Sequence, residues 1–259
     1  MTESLTDYVK SFESIETSRS GVNGKPIIAR LDGHCFSSFT KSLSKPYDTR
    51  LTNLMRDTTR KLVSETNALI GYTQSDEITL VWYLPKDHPG QYFFGGRFQK
   101  LAGILASKAT GYFIREIDRR IPEKTGSFPE FDARVWQVPT LRDAGKTLLQ
   151  REQDAIKNSI TMLASSYFSH KQLLSVNGET KREMLRKMGD PWEDHPTYFR
   201  KGSYFRRQIE FRKLEESEMM NIPEQHRPTQ PVERSIVREV FFEDLSKIKD
   251  LTSIFKIEM

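Results

Sequence analysis

A single cysteine, Cys35, in a chain of 259 residues excludes any intrachain disulfide. The five histidines, His34, His88, His170, His195 and His226, make no Cys/His cluster with zinc-ligand spacing, and none pairs with serine or cysteine as a nucleophilic triad requires. No apolar run approaches the roughly 18 residues that a membrane-spanning helix needs. The start MTESLTDYVKSFE is acidic and polar, unlike a signal peptide. We therefore expect a cytoplasmic protein with no membrane partner. Walker A and GxGxxG sequences are missing too, which removes P-loop and Rossmann nucleotide sites.

What is present fits a soluble globular chain, with 36% hydrophobic and 29% charged residues, long enough for one large domain or two small ones. A net charge of +5 (40 − 35) gives too weak an overall field to identify a nucleic-acid partner, so local clustering matters more. Basic residues gather in YFRKGSYFRRQIEFRK, where Arg200, Lys201, Arg206, Arg207, Arg212 and Lys213 alternate with Tyr198, Phe199, Tyr204, Phe205 and Phe211. That mixture suits an RNA surface, with bases stacked and phosphates paired, or equally a solvated hairpin with its aromatics in the core.

Residues 5–18 read as a helix, and NGKP at 23–26 breaks the chain before a strand over 27–32. Helical spacing of Leu51, Leu54, Met55, Thr58 and Leu62 predicts a helix over 49–67. The strands ALIGYT and ITLVWYL flank the turn QSDE, placing Asp76 at a hairpin tip. A helix follows Gly95-Gly96, and PEFDARVWQVP closes this half as a strand. The alternation predicts an α+β class: a polymerase palm-like, ferredoxin-like antiparallel sheet with flanking helices over residues 1–138. Residues 139–259 form an appended helical and β-hairpin region, with helices over 142–168 and 178–188, a basic hairpin over 196–213 and a proline-rich surface loop NIPEQHRPTQPVERS.

Two acidic sites stand out: Asp32 at a strand end before Gly33, and Asp76-Glu77 in the hairpin. If the hairpin lies beside the first strand, the carboxylates converge across 44 positions (76 − 32), and hard oxygens at strand ends suit Mg²⁺ with phosphates as its remaining ligands. Aspartates are also ordinary turn residues, so a capping or salt-bridge role stays open. Arg97 and Lys100 in the first turns of a helix, with Lys41 and Lys45 in the loop before Pro46, supply cations for a triphosphate. Cys35, following a buried strand, is expected to pack rather than react.

The segments ARLDGHCFSSFTKSLSKPYDTRL and GYTQSDEITLVW resemble the paired metal motifs of the tRNA-His guanylyltransferase superfamily, which adds nucleotides to RNA 5′ ends in the 3′-to-5′ direction. FFGGRFQKLAGILAS, FDARVWQVP, REQDAIKNSITMLASSYFSHKQL and HPTYFRKGSYFRR extend the resemblance over roughly residues 5–210. It implies a palm fold, two Mg²⁺ ions, ATP or GTP as activating nucleotide, tRNA as substrate and a homotetramer. By position, Asp32 and Asp76 would ligate metal with the Gly33 carbonyl, and Glu77 would complete the catalytic acidic site. The Gly33, His34, Cys35, Phe36 and Ser37 backbone, with Lys45, Ser75, Arg97 and Lys100, would hold the triphosphate. RNA would meet Arg134, Asp154, Lys157, Asn158, His170, Lys171, Arg200, Lys201, Arg206 and Arg207. Many members read Asp-Gly-Arg and Phe-His where this chain has Asp32-Gly33-His34 and Phe36-Ser37. Its helix DAIKNSITMLA resembles the bacterial and archaeal "like" proteins, which favour templated repair of truncated tRNA 5′ ends over tRNA-His guanylylation. A palm-fold nucleotide cyclase and a catalytically silent RNA-binding protein are the competing expectations.

Overall fold

The computed structural model describes residues 4–256. After helix α1 (Leu5–Thr17), the asparagine-glycine turn leads into strand β1 (Ile27–His34), followed by the short α2 (Phe36–Phe39) and by α3 (Thr49–Thr66). The hairpin β2 (Ile70–Gln74) and β3 (Glu77–Trp82) then precedes α4 (Phe98–Arg120) and β4 (Glu130–Gln137). This βαββαβ order, with sheet neighbours β4-β1-β3-β2, is the ferredoxin-like layout expected from the sequence.

The apolar run of β1 is explained by helices on both faces of the sheet. Ile27, Ala29 and Leu31 pack with Leu54 and Leu62 of α3 and Leu101, Leu105 and Phe113 of α4. Ile28 points the other way, into a cluster with Tyr72, Val81 and Leu148 and Ala155 of α5 (Leu141–Ala164). Beyond the sheet, the end of α5, α6 (His170–Leu173), α7 (Gly178–Lys187) and α8 (Thr197–Arg200) enclose a third cluster around Leu163, Leu185, Trp192 and Phe199.

The stretch expected as a basic hairpin over 196–213 folds differently. It is α8 followed by one strand, β5 (Ser203–Arg212), which extends the palm sheet beside β2 and pairs on its outer side with β6 (Val232–Val240). The proline-rich segment is a loop only as far as that strand, which begins inside it at Val232. The reason lies at Gly202, whose φ of +85° turns the chain into the sheet and whose Cβ, had it one, would sit 2.6 Å from the Thr73 carbonyl oxygen. From there Tyr204 enters one core and Phe205 the other, as strand alternation requires. Between β5 and β6 lies α9 (Glu216–Met220), and short 3₁₀ turns at Leu245–Lys247 and Leu251–Phe255 fold the C-terminal segment back onto α5.

Candidate active site

Strand pairing builds the acidic edge. Asp32 stands directly opposite Glu77 on β3 and opposite Asp132 on β4, so the three side chains share the α5 face. Asp76 occupies the two-residue turn after Ser75, whose φ is +54°, and the Gly33 amide donates to the Asp76 carbonyl at 3.1 Å. Burial raises the Asp76 carboxyl pKa, and the nearby Asp32 charge raises it further, opposed by a hydrogen bond from Ser75. Glu77 is also raised by burial, against the pull of Arg151 and Arg30.

Partners divide these acids into two kinds. Glu77 is engaged by Arg151 of α5, whose Nη1 lies 3.1 Å from Oε2. Asp32 and Asp76 have no ion pair among the described residues, so two hard carboxylates converge without a cation of the chain's own. That donor set fits Mg²⁺, with Asp32, Asp76 and the Gly33 carbonyl as the protein's oxygens. Among the described residues no three His, Cys, Asp or Glu side chains form a ready cage. An ion that keeps waters and shares nucleotide phosphates does not need one.

Around the acids the structure gathers polar groups suited to phosphates. Lys45 and Ser75 line one cleft with Tyr47, Asp48, Thr73 and Tyr198, and Lys45 lines a second with Asn158 and Thr161 of α5. The Lys45 loop is pinned by buried Asp48, which accepts from the Ser44 amide at 3.4 Å and caps α3 through the Arg50 amide at 2.9 Å. His34, Cys35 and Ser37 are exposed on the segment leaving β1. Cys35, expected to pack, instead faces solvent in the left-handed region at φ 56°, with its Sγ 3.5 Å from His34 Nε2. The strand has ended by then, so the buried pattern does not carry on to it. Phe36 is buried against Phe39, Phe113 and Phe131, leaving its backbone alone to meet a ligand.

Arg97 and Lys100 do not join this edge within the chain. An isolated β-bridge sets Ser20 beside Arg97, and Gly96 abuts Ile27, at the start of β1 rather than its end. The segment after β1 instead meets α4 at Phe113, ring to ring with Phe36. That is 16 residues (113 − 97) beyond Arg97, about 24 Å along a helix.

Of the residues expected to meet RNA, Lys157, Asn158, His170 and Lys171 are exposed on α5 and α6, and Arg134 is exposed on β4 beside Asp132. Asp154, half-buried, is paired with Arg151 at 2.6 Å. The basic stretch serves the fold instead. Arg200 lies over the Trp192 ring, and the Lys201 ammonium donates to the Glu243 carbonyl at 2.6 Å. Arg206 is buried, reaching the Ile254 carbonyl at 3.4 Å, and is withdrawn from any RNA surface. Arg207 donates to the Val63 and Ser64 carbonyls at 2.9 and 3.0 Å, and burial lowers its pKa. Sequence reasoning passed over Arg30 and Arg151 as site residues. The signal for Arg30 was a charge inside a buried strand, and for Arg151 a cation one helical turn before Asp154.

A palm sheet that ends in paired carboxylates beside a lysine and a serine is an arrangement suited to handling nucleotide phosphates. The model of the tRNAHis guanylyltransferase family (Thg1) matches residues 6–139, and the chain belongs to this family of tRNA nucleotidyltransferases. Among solved structures it is similar to a bacterial tRNA(His) guanylyltransferase (Thg1)-like protein in complex with ATP. The TM-score is 0.73 at 30% identity, over 79% of this chain and 87% of that one. A bacterial Thg1-like protein in complex with GTP matches at TM-score 0.69 and 26% identity, over 91% of both chains. The tRNA(His) guanylyltransferase of Saccharomyces cerevisiae, at 24% identity and TM-score 0.65 over 76% of this chain and 90% of that one, shares the fold. A relative from Acanthamoeba polyphaga mimivirus, itself uncharacterized, is 25% identical over 202 residues, 70% of this chain and 69% of the relative.

Proposed function

We propose that the protein is a Mg²⁺-dependent 3′-to-5′ nucleotidyltransferase that restores nucleotides at the 5′ end of tRNA, using ATP or GTP to activate a 5′-monophosphate. The observation that carries this reading is the convergence of Asp32 and Asp76, neither ion-paired among the described residues, at an edge where Lys45 and Ser75 stand ready for phosphates. The relatives in complex with ATP and GTP support the choice of nucleotide. Templated repair is favoured over tRNA-His guanylylation because the α5 sequence DAIKNSITMLA is of the "like" type.

The chain's own groups divide the work. Asp32, Asp76 and the Gly33 carbonyl hold the divalent ions, which when bound would acidify the attacking hydroxyl and offset phosphate charge. Lys45 and Ser75 donate to triphosphate oxygens, and the backbone from Gly33 to Ser37 lines their approach. Activation joins the α-phosphate of ATP or GTP to the 5′-monophosphate with release of pyrophosphate; the incoming nucleotide's 3′-hydroxyl then attacks the activated 5′-phosphate, and AMP or GMP leaves. The exposed Lys157, Asn158, His170 and Lys171 meet the RNA, Asn158 from a cleft that Lys45 also lines. Arg97 and Lys100, remote within one chain, reach a triphosphate from a second copy in a homotetramer.

The test is nucleotide addition to two 5′-labelled RNAs with Mg²⁺, ATP and each nucleoside triphosphate separately: a tRNA lacking its first nucleotide, and a full-length tRNA-His lacking G at position −1. Addition confined to the nucleotide complementary to the 3′ strand supports templated repair. Addition of G alone, to tRNA-His alone, replaces it with guanylylation, and no addition to either RNA overturns the enzyme reading.

A further inference from the structure

We propose that Arg151 is the positioning residue of the acidic edge: by gripping Glu77 from α5 it fixes the third carboxylate relative to Asp32 and Asp76, an inference resting on the nucleotidyl transfer proposed above. Arg151 is only 16% exposed at its side chain and spends its donors on a closed set of acceptors. Nη1 lies 3.1 Å from Glu77 Oε2 and 3.4 Å from Oε1, Nη2 lies 2.6 Å from Asp154 Oδ2, and Nε lies 2.8 Å from Gln150 Oε1. A planar guanidinium committed on three sides has little freedom to turn. The other cation nearby, Arg30, comes no closer than 4.0 Å to Glu77, and its Nε is buried without a hydrogen bond. Among the described residues Arg151 is thus the one side chain hydrogen-bonded to the Glu77 carboxylate.

The need for such a grip follows from register. Glu77 stands directly across from Asp32, where opposed like charges repel, and an untethered glutamate there is free to swing toward the ions or the phosphates. Arg151 is not placed to bind the triphosphate itself, because its donors are already engaged by Glu77, Asp154 and Gln150. It therefore acts on the rate of transfer and leaves nucleotide affinity alone.

The experiment measures kcat and KM for the templated nucleotide on a tRNA lacking its first 5′ nucleotide, with Mg²⁺ and ATP. Wild-type chain without activity counts against the function reading; with wild-type activity in hand, the variants judge Arg151. Arg151→Ala is expected to lower kcat about 10- to 100-fold, the loss that follows a small misplacement of catalytic groups. KM is expected to stay within about threefold, and Arg151→Lys to recover part of kcat by restoring one ion-pair contact. In a Glu77→Gln background, adding Arg151→Ala is expected to cost less than about twofold, since the partner it acts through is gone. Unchanged kcat in Arg151→Ala, a rise in KM at constant kcat, or independent losses in the double variant would each overturn the proposal. If Arg151→Ala does not fold, or Glu77→Gln leaves no measurable rate, the kcat-against-KM split of Arg151→Lys decides.

Discussion

At the end of the sheet where β1 finishes, Asp32, Asp76 and Glu77 meet Lys45, Ser75 and Arg151; at the end where β1 begins, Arg97 and Lys100 stand beside Gly95 and Gly96 with no carboxylate pair. The exposed apolar residues Leu5, Tyr8, Val9, Phe12 and Ile15 of α1 mark a helix none of whose residues is buried. One sheet thus carries an acidic, phosphate-ready end and a basic end, separated by most of the length of α4. The difference follows from topology: β3 runs antiparallel to β1, so the helix that leaves β3 must start where β1 started. Cations at a helix N-terminus suit a triphosphate wherever they are, but connectivity decides which end of the sheet they serve.

The largest expected effect breaks the acidic end. Asp76→Asn should reduce nucleotide addition by about a hundred- to a thousandfold while leaving RNA binding intact. Gel assays of labelled tRNA alongside filter binding check both halves, and retained activity would remove the ion site from that edge. Next, the pair Arg97→Ala with Lys100→Ala should lower addition about tenfold, by loss of charge-assisted phosphate contacts. Mixing that variant with Asp76→Asn should restore activity if the two ends meet between copies, because hybrid assemblies then contain one intact site. Failure to complement would confine each end to its own chain.

Two smaller effects concern the frame beneath the acidic end. A Cβ on Gly33 would sit 2.3 Å from the buried Phe36 ring, so Gly33→Ala should cost about 1–3 kcal/mol of stability in a denaturant titration. Buried Glu152 accepts from the Tyr204 hydroxyl at 2.9 Å, and burial raises its pKa above the usual carboxylate value. A folded-state pKa above the unfolded one means that ionisation opposes folding: the cost is absent below the unfolded pKa and grows as pH rises through the folded one. Glu152→Gln should therefore gain on wild type in thermal stability between pH 4 and pH 7, and an opposite slope would show that the charged form is the stabilised one.

Much of this was legible locally. The β1 run, the QSDE turn and the helical stripes of α3 and α4 are short-range patterns, and they are enough to set the ferredoxin-like order and to bring Asp32 near Asp76. The partners of β5 were not legible, because strand pairing over long separations leaves no periodic trace. The aromatic and basic alternation of that stretch reads alike for a core strand and an RNA surface. Burial of Tyr204, Phe205 and Arg206 settles it for the core. Arg151 escaped notice because its partner Glu77 lies 74 residues away.

The added strand also carries a consequence for how the protein is made. Tyr72 pairs with Tyr204, a separation of 132 residues (204 − 72), and β6 closes on β5 later still. On a ribosome the exposed edge of β2 must wait until β5, more than 130 residues further along the chain, has emerged before its hydrogen bonds are met. During that interval the nascent chain presents an open, apolar edge strand, and chaperone demand should peak there.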